Sequence, residues 1–253
     1  MKISNIKENA RVALTGKWGK GACIILGYLA FAFVAGFIIG LVGGDETAIG
    51  SLLNLVYIIC EVPLVFGISY AFIKLKRNEE VKAFDYITLG FSNFGRAWKI
   101  SLRTVLKTII PLIIYILVLT VSIVLLIMST YLGDVPIIIT ILGIIATVFT
   151  IVWLYGVILL YSLTTYIAYD NPNMSSLEVV NESAKMMKGN RWKIFLLVLS
   201  FIGWAILSIF TLGIGYIWLT PYMMVSQVCF YENLLENKEE NYEESNVDAI
   251  REM

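Results

Sequence analysis

The chain alternates long uncharged apolar runs with short segments that collect nearly all of its charge. Five stretches carry no charge or almost none: Gly21–Gly44, Thr47–Ile73, Thr108–Gly133, Val135–Tyr169 and Ile194–Tyr231. A helix needs about 20 residues to cross about 30 Å of hydrocarbon, so each of the first three predicts one transmembrane helix. Ile194–Tyr231 is longer and holds Thr211-Leu212-Gly213-Ile214-Gly215 near its middle, which predicts two short helices joined by a tight turn. Val135–Tyr169 would be about 52 Å long as a straight helix. It exceeds one crossing yet is short for a hairpin, and is expected as a single span, kinked near Gly156, whose end projects into the cytosolic interface. The fold class is therefore an all-α integral membrane protein with six transmembrane helices arranged as three hairpins.

Basic residues set the orientation, because lysine and arginine are retained on the cytoplasmic side. With six spans and an inside N-terminus, the inside segments are 1–20, 74–107, 170–193 and the tail, and all 19 basic residues fall in them. The outer turns hold only Asp45, Glu46 and Asp134. Both termini are thus expected in the cytoplasm, with no external domain. A cleavable signal peptide is not expected, since the first apolar run starts late and ends without a small-residue cleavage pattern. Net charge is zero, but residues 1–231 carry 17 basic against 11 acidic side chains, and residues 232–253 carry two against eight. The chain reads as a membrane domain over 1–231 and an acidic, disordered cytoplasmic tail over 232–253.

A second pattern recurs three times. A tryptophan flanked by basic residues precedes each apolar hairpin: Lys17-Trp18-Gly19-Lys20, Arg96-Ala97-Trp98-Lys99 and Arg191-Trp192-Lys193. Each follows an amphipathic segment. Ile3, Ile6, Ala10, Ala13, Leu14 and Trp18 recur at helical spacing; so do Phe91, Phe94 and Trp98. The third opens with the capping box Ser175-Ser176-Leu177-Glu178, continues through Leu177, Val180, Ala184 and Met187, and stops at Gly189, a suitable residue just past a helix C-terminus. The second helix of each hairpin carries a breaker followed by a serine: Pro63 with Ser69, Gly156 with Ser162, Pro221 with Ser226. Each repeat is then an interfacial amphipathic helix plus a transmembrane hairpin, the helix lying at the anionic inner leaflet with its tryptophan at headgroup depth. Ordinary basic-aromatic flanking of membrane spans would leave the same trace.

Composition narrows the chemistry. Hydrophobic residues make up 58% of the chain and charged ones 15%, against about 45–50% and 25% in soluble domains. Mean hydropathy is +0.81. There is no histidine, which excludes Ser-His-Asp and Cys-His sites, HExxH zinc sites and histidine-ligated haem. Cys23, Cys60 and Cys229 are far apart in apolar runs and suit inert thiols. No phosphate-binding P-loop is present, and Gly213-Ile214-Gly215 is too short for a dinucleotide fingerprint. No enzyme activity, cofactor, metal or nucleic-acid partner is expected.

The segment Ser183–Tyr231 carries a resemblance. It reads Ser183-Ala184-Lys185-Met186-Met187-Lys188-Gly189, Arg191-Trp192-Lys193 with Phe195, Leu199-Ser200-Phe201-Ile202-Gly203-Trp204, Thr211-Leu212-Gly213-Ile214-Gly215, Leu219-Thr220-Pro221-Tyr222 and Phe230-Tyr231. This resembles the DUF975 family of bacterial integral membrane proteins. The resemblance implies a multi-pass protein of the bacterial cytoplasmic membrane and carries over no catalytic residue.

Candidate sites are few. Glu61 stands near the middle of its apolar run, two residues before Pro63, which frees a backbone carbonyl one turn earlier, near Ile59. An ionisable side chain at membrane depth is costly and tends to face a bundle interior or a cavity. Glu61, with Asn54 two turns earlier, is therefore either a proton- or cation-binding position or a protonated structural carboxyl. Pro221 and Gln227 mark a second break, which would line a transporter-like cavity or simply kink the helix for packing, with Thr220 and Ser226 satisfying the freed groups. Lys188, Arg191 and Lys193, with Trp18, Trp98 and Trp192, are the candidate contacts to lipid or to an acidic partner surface. Gly36, Gly40 and Gly44 allow close helix approach. Three functional classes remain open: a non-catalytic accessory or scaffold component, which the missing catalytic constellation favours; a small, proton-linked transporter or channel using Glu61; and a lipid enzyme, for which the needed paired groups are not seen.

Overall fold

The protein is described by a computed structural model over residues 2–133 and 136–251, with the side chains of Leu132 and of residues beyond 240 outside the description. Asp134 lies outside the described residues. The fold is all-helical, with no strand among the described residues: α1 (Ile3–Leu14), α2 (Trp18–Leu41), α3 (Ala48–Lys76), α4 (Asp85–Ser92), α5 (Phe94–Ile127), α6 (Ile137–Leu159), α7 (Thr164–Asp170), α8 (Ser176–Met187), α9 (Arg191–Leu199), α10 (Ile202–Phe210) and α11 (Tyr216–Arg251). Five helical stretches are long and apolar enough to cross a membrane: Trp18–Leu41, Ala48–Lys76, Phe94–Tyr131, Ile137–Asp170 and Arg191–Phe210. The turn expected at Thr211–Gly215 is present, with Leu212 at φ 53° and Gly213 at φ 86°. Beyond it, α11 runs to Arg251.

The chain forms two compact units, one made of residues 1–98, 165–173 and 192–253, the other of 99–164 and 174–191. In the first, burial is graded along each long helix. On α2 the buried residues are Gly21, Ala22, Ile24 and Ile25, while Phe33, Phe37 and Leu41 further on are exposed. On α3 the order is reversed: Ile49, Leu52 and Leu55 are exposed, and from Pro63 to Leu75 the helix is mostly buried. Phe210 and Leu212 are 80% and 94% exposed, whereas Val225, Val228, Phe230 and Tyr231 of α11 are almost wholly buried. One half of each helix thus joins a protein core, and the half next to its connecting turn presents bare apolar surface that only lipid or another protein would cover.

That core is completed by short helices. In α1, Ile6, Ala10 and Leu14 are buried, so the stripe read from the sequence packs into the protein. Helix α4 lies so close to α3 that a Cβ at Gly67 would collide with the Tyr86 carbonyl, and one at Gly90 with the Pro63 carbonyl.

In the second unit α5 and α6 pair through small and hydroxyl residues. Ser122 Oγ donates to the Gly143 carbonyl at 2.8 Å, and Thr147 Oγ1 donates to Ser122 Oγ at 2.8 Å. The kink expected near Gly156 is displaced: α6 runs through Gly156, where nothing crowds the backbone, and breaks after Leu159. The break forms where α8 supplies a partner. Ser183, fully buried, donates its hydroxyl to the Leu160 carbonyl (2.8 Å) and accepts from the Leu163 N–H (3.3 Å). Helix α8 starts with the expected capping box, Ser175 and Glu178 satisfying each other's backbone N–H groups, and is followed by Gly189 at φ 88°.

Candidate functional site

Glu61 stands where the exposed half of α3 meets its buried half. Roughly 20 Å of helix separates it from Ala48, at about 1.5 Å per residue. Its carboxylate accepts a hydrogen bond from the Tyr28 hydroxyl of α2 at 3.3 Å, and no basic side chain pairs with it among the described residues. The carbonyl freed by Pro63 is satisfied: the Trp98 indole N–H donates to Ile59 O at 3.1 Å. Asn54 does not share the Glu61 environment. Its amide donates to Asp45 Oδ1 at 2.9 Å in the turn before α3. Pro221 packs on Gly21, leaving 3.0 Å between its Cβ and a Cβ built there. Ser226 bonds back to the Tyr222 carbonyl.

Gln227 belongs to a different group of residues. Its side-chain carbonyl accepts from the buried Tyr166 hydroxyl at 3.0 Å, and the Tyr166 ring stacks on Tyr231 at 5.8 Å between centroids. The Tyr231 hydroxyl donates to Asp170 Oδ2 at 2.9 Å. Asp170 receives a two-pronged contact from Arg77, at 2.5 and 2.9 Å, and Arg77 Nε also donates to Glu232 Oε1 at 3.1 Å. Lys76 pairs with the same Glu232. Beside it Tyr169 donates to Glu79, which faces Lys74 at 3.8 Å. The side chains of Arg77, Asp170 and Glu232 are 30%, 19% and 16% exposed. Hydrogen bonding to Asp170 raises the Arg77 pKa above its ordinary value, against the opposing effect of burial.

This triad ties together the ends of α3 and α7 and the middle of α11, and reading the sequence missed it. A signal was available: Arg77-Asn78, Asp170-Asn171 and Glu232-Asn233 each put a charged residue before an asparagine, downstream of a breaker and a serine in each case. Which charges would pair was not legible, because the partners are remote in the chain.

Two basic residues next to the repeated tryptophans act on helix ends. Lys17 Nζ donates to the Leu75 carbonyl at 2.8 Å and to Asn78, at the C-terminus of α3. Arg96 donates to the Asn171 and Pro172 carbonyls just past α7. Cations belong at helix C-termini, where carbonyls lack partners and the dipole is negative. Burial, helped by Lys20, lowers the Lys17 pKa. The tryptophans differ in setting. Trp18 is half-buried against Tyr222, with ring centroids 6.1 Å apart, and Trp98 serves Ile59. Trp192 is exposed beside Phe195, as are Lys188, Arg191 and Lys193. The candidate residues therefore do not converge on one centre: Glu61, Asn54 and Gln227 each have a separate partner.

Among the described residues no group of three or more Cys, Asp or Glu side chains is arranged to hold a metal ion. Comparison with protein families finds one model, described as "Protein of unknown function (DUF975)", that matches residues 1–238. Neither the curated proteins nor the solved structures provide a match.

Proposed function

The chain is a member of the DUF975 family, and from that premise we propose that it is a non-catalytic accessory or scaffold component of the bacterial cytoplasmic membrane. In this reading it has six spans, as three hairpins with both termini in the cytoplasm, the apolar opening of α11 providing the sixth. The observation that carries the reading is the way polar groups are used. The charged triad, the two helix-end cations and the Trp98 and Ser183 hydrogen bonds all link one part of the protein to another. In the first unit the charged triad lies where the helices are buried, and bare apolar surface lies next to their connecting turns. Such a body suits holding a place in a membrane assembly, with its cationic face against anionic lipid or a partner's acidic surface.

The Tyr28–Glu61 pair favours a second reading, proton-linked transport, since it sets a carboxyl with no basic partner among the described residues within a membrane span. Mild in-cell crosslinking, affinity purification from native membranes and mass spectrometry test the choice. A stoichiometric membrane-protein partner is the expected result. Proton-coupled flux by the purified protein in proteoliposomes, lost in Glu61→Gln at equal reconstitution, would overturn the accessory role.

A further inference from the structure

We propose that the first unit carries a binding site for one anionic glycerophospholipid, in the cleft that α10 and the start of α11 form with α1 and Trp18. The cleft has a volume of ≈ 500 Å³ and is lined almost wholly by apolar side chains, chiefly Trp18, Trp204, Leu207, Trp218 and Leu219, with Arg11 and Tyr222 at one end. Three of the chain's six tryptophans meet here. Trp204 and Trp218 each leave about half their surface open, so the trench offers wide apolar contact without a protein occupant.

The Arg11 end decides the class of ligand. Arg11 is exposed and has no acidic partner among the described residues. Lys7 lies one turn earlier on α1, its ammonium 4.6 Å above the Phe201 ring and donating to the Ser200 carbonyl at 3.3 Å. Phe201 packs edge-on against Tyr222 at 5.0 Å, and the Tyr222 hydroxyl donates to the Lys7 carbonyl at 3.2 Å. Arg11 therefore stands at the polar end of an apolar trench, and Lys7, one turn away against Phe201, is the second cation of a pair. Burial and the neighbouring Arg11 both lower the Lys7 pKa, a strain that an anion would relieve. A guanidinium forks onto phosphate oxygens, and aromatic side chains cover an acyl chain while keeping a polar edge towards the headgroup layer. A zwitterionic lipid brings its own cation to the phosphate and leaves this pair less well matched. A phospholipid phosphate on Arg11, with one acyl chain along Trp204 and Trp218, satisfies both halves of the site.

This inference rests on the membrane placement and not on the accessory role, so either can fail alone. Full-length protein is reconstituted with phosphatidylglycerol and phosphatidylcholine in equal amounts, extracted into mild detergent, and its retained lipid is counted by native mass spectrometry. One phosphatidylglycerol per chain is expected, with phosphatidylcholine washed away. Arg11→Gln should lower the retained anionic lipid by about tenfold, the loss expected for one charge-assisted contact. Leu207→Trp, which fills the trench, should lower it as well. Lys82→Gln, an exposed cation outside the cleft, should leave it unchanged. Melting temperatures near the parent's confirm that the variants are folded; should Leu207→Trp misfold, the surface substitution Arg11→Gln still decides. Equal retention of the two lipids, or full retention in Arg11→Gln, would overturn the site.

Discussion

At the scale of single residues, the polar side chains with the largest structural consequence are those that close gaps left by interrupted helices or unpaired charges. Arg77 neutralises two carboxylates in different helices, Asp170 and Glu232. Removing it leaves Asp170 without its cation and Glu232 with Lys76 alone. A fully buried pair broken in this way costs about 3–5 kcal/mol, and partial exposure of this one reduces the expectation for Arg77→Gln to about 2 kcal/mol. Arg77→Lys should recover only part, since an ammonium cannot serve Asp170 with two prongs and Glu232 with a third. Thermal unfolding of the detergent-solubilised protein measures both, and an unchanged midpoint in Arg77→Gln would show that the triad contributes nothing to stability. Ser183 presents the same logic without charge. Ser183→Ala strips the Leu160 carbonyl and the Leu163 N–H of a partner inside the core, a loss of about 1–3 kcal/mol. Ser162→Ala, whose hydroxyl only bonds back to Leu159, is the control and should be near neutral. Local chemistry was legible in the sequence: the carbonyl released by Pro63 was identified there. That the Trp98 N–H donates to it was not, because the two are 39 residues apart and no local rule joins them.

At the scale of elements, the periodicity of α1 and α8 and the start and stop of α8 were readable, because caps and stripes are local. What each stripe packs against was not. An apolar face looks the same in sequence whether it meets lipid or protein, and the structure buries Ile6, Ala10 and Leu14 of α1, and Val179, Val180 and Met187 of α8. The α3–α4 contact depends on two glycines far apart in sequence. Gly90→Ala should push α4 off the Pro63 carbonyl and destabilise the protein by about 1–3 kcal/mol. Gly95→Ala, with open space around it, should change the melting midpoint little. The α8 cap makes a prediction with a sign. Hydrogen bonding to Ser175 holds the Glu178 carboxyl below its ordinary pKa. The contribution is therefore complete above the ordinary carboxylate pKa and is lost as pH falls through the lowered one. Amide exchange in the first turn of α8, corrected for intrinsic rates, should accelerate over that acid range in the parent. In Glu178→Gln it should not respond to that titration; the same acid response there would assign the effect to another group.

At the scale of the whole chain, five long apolar runs were evident in the sequence and were expected to give six spans, because uncharged runs of this length have few other fates in a folded protein. The sixth crossing is where sequence and structure leave a choice. Tyr216–Tyr231 is apolar but short, about 24 Å at the usual helical rise, and its second half is buried among protein side chains. The number of crossings fixes which side of the membrane holds the acidic end of α11. With six, Glu240 shares a side with Lys2 and with the triad at Arg77, so the acidic end faces the same compartment as the basic segments. With five, it would stand opposite them, and Glu232 could not reach Lys76 and Arg77 without bringing those cations across too. The ion pairs of Glu232 therefore support six. Single cysteines at Asp45 and Glu240, placed in a chain with Cys23, Cys60 and Cys229 replaced by serine or alanine, read the outcome directly. A membrane-impermeant maleimide added to intact cells should label Asp45→Cys, and should reach Glu240→Cys only after permeabilisation. Labelling of both in intact cells would leave α11 without a crossing and would place the triad, and the proposed inner-leaflet contacts with it, on the wrong side.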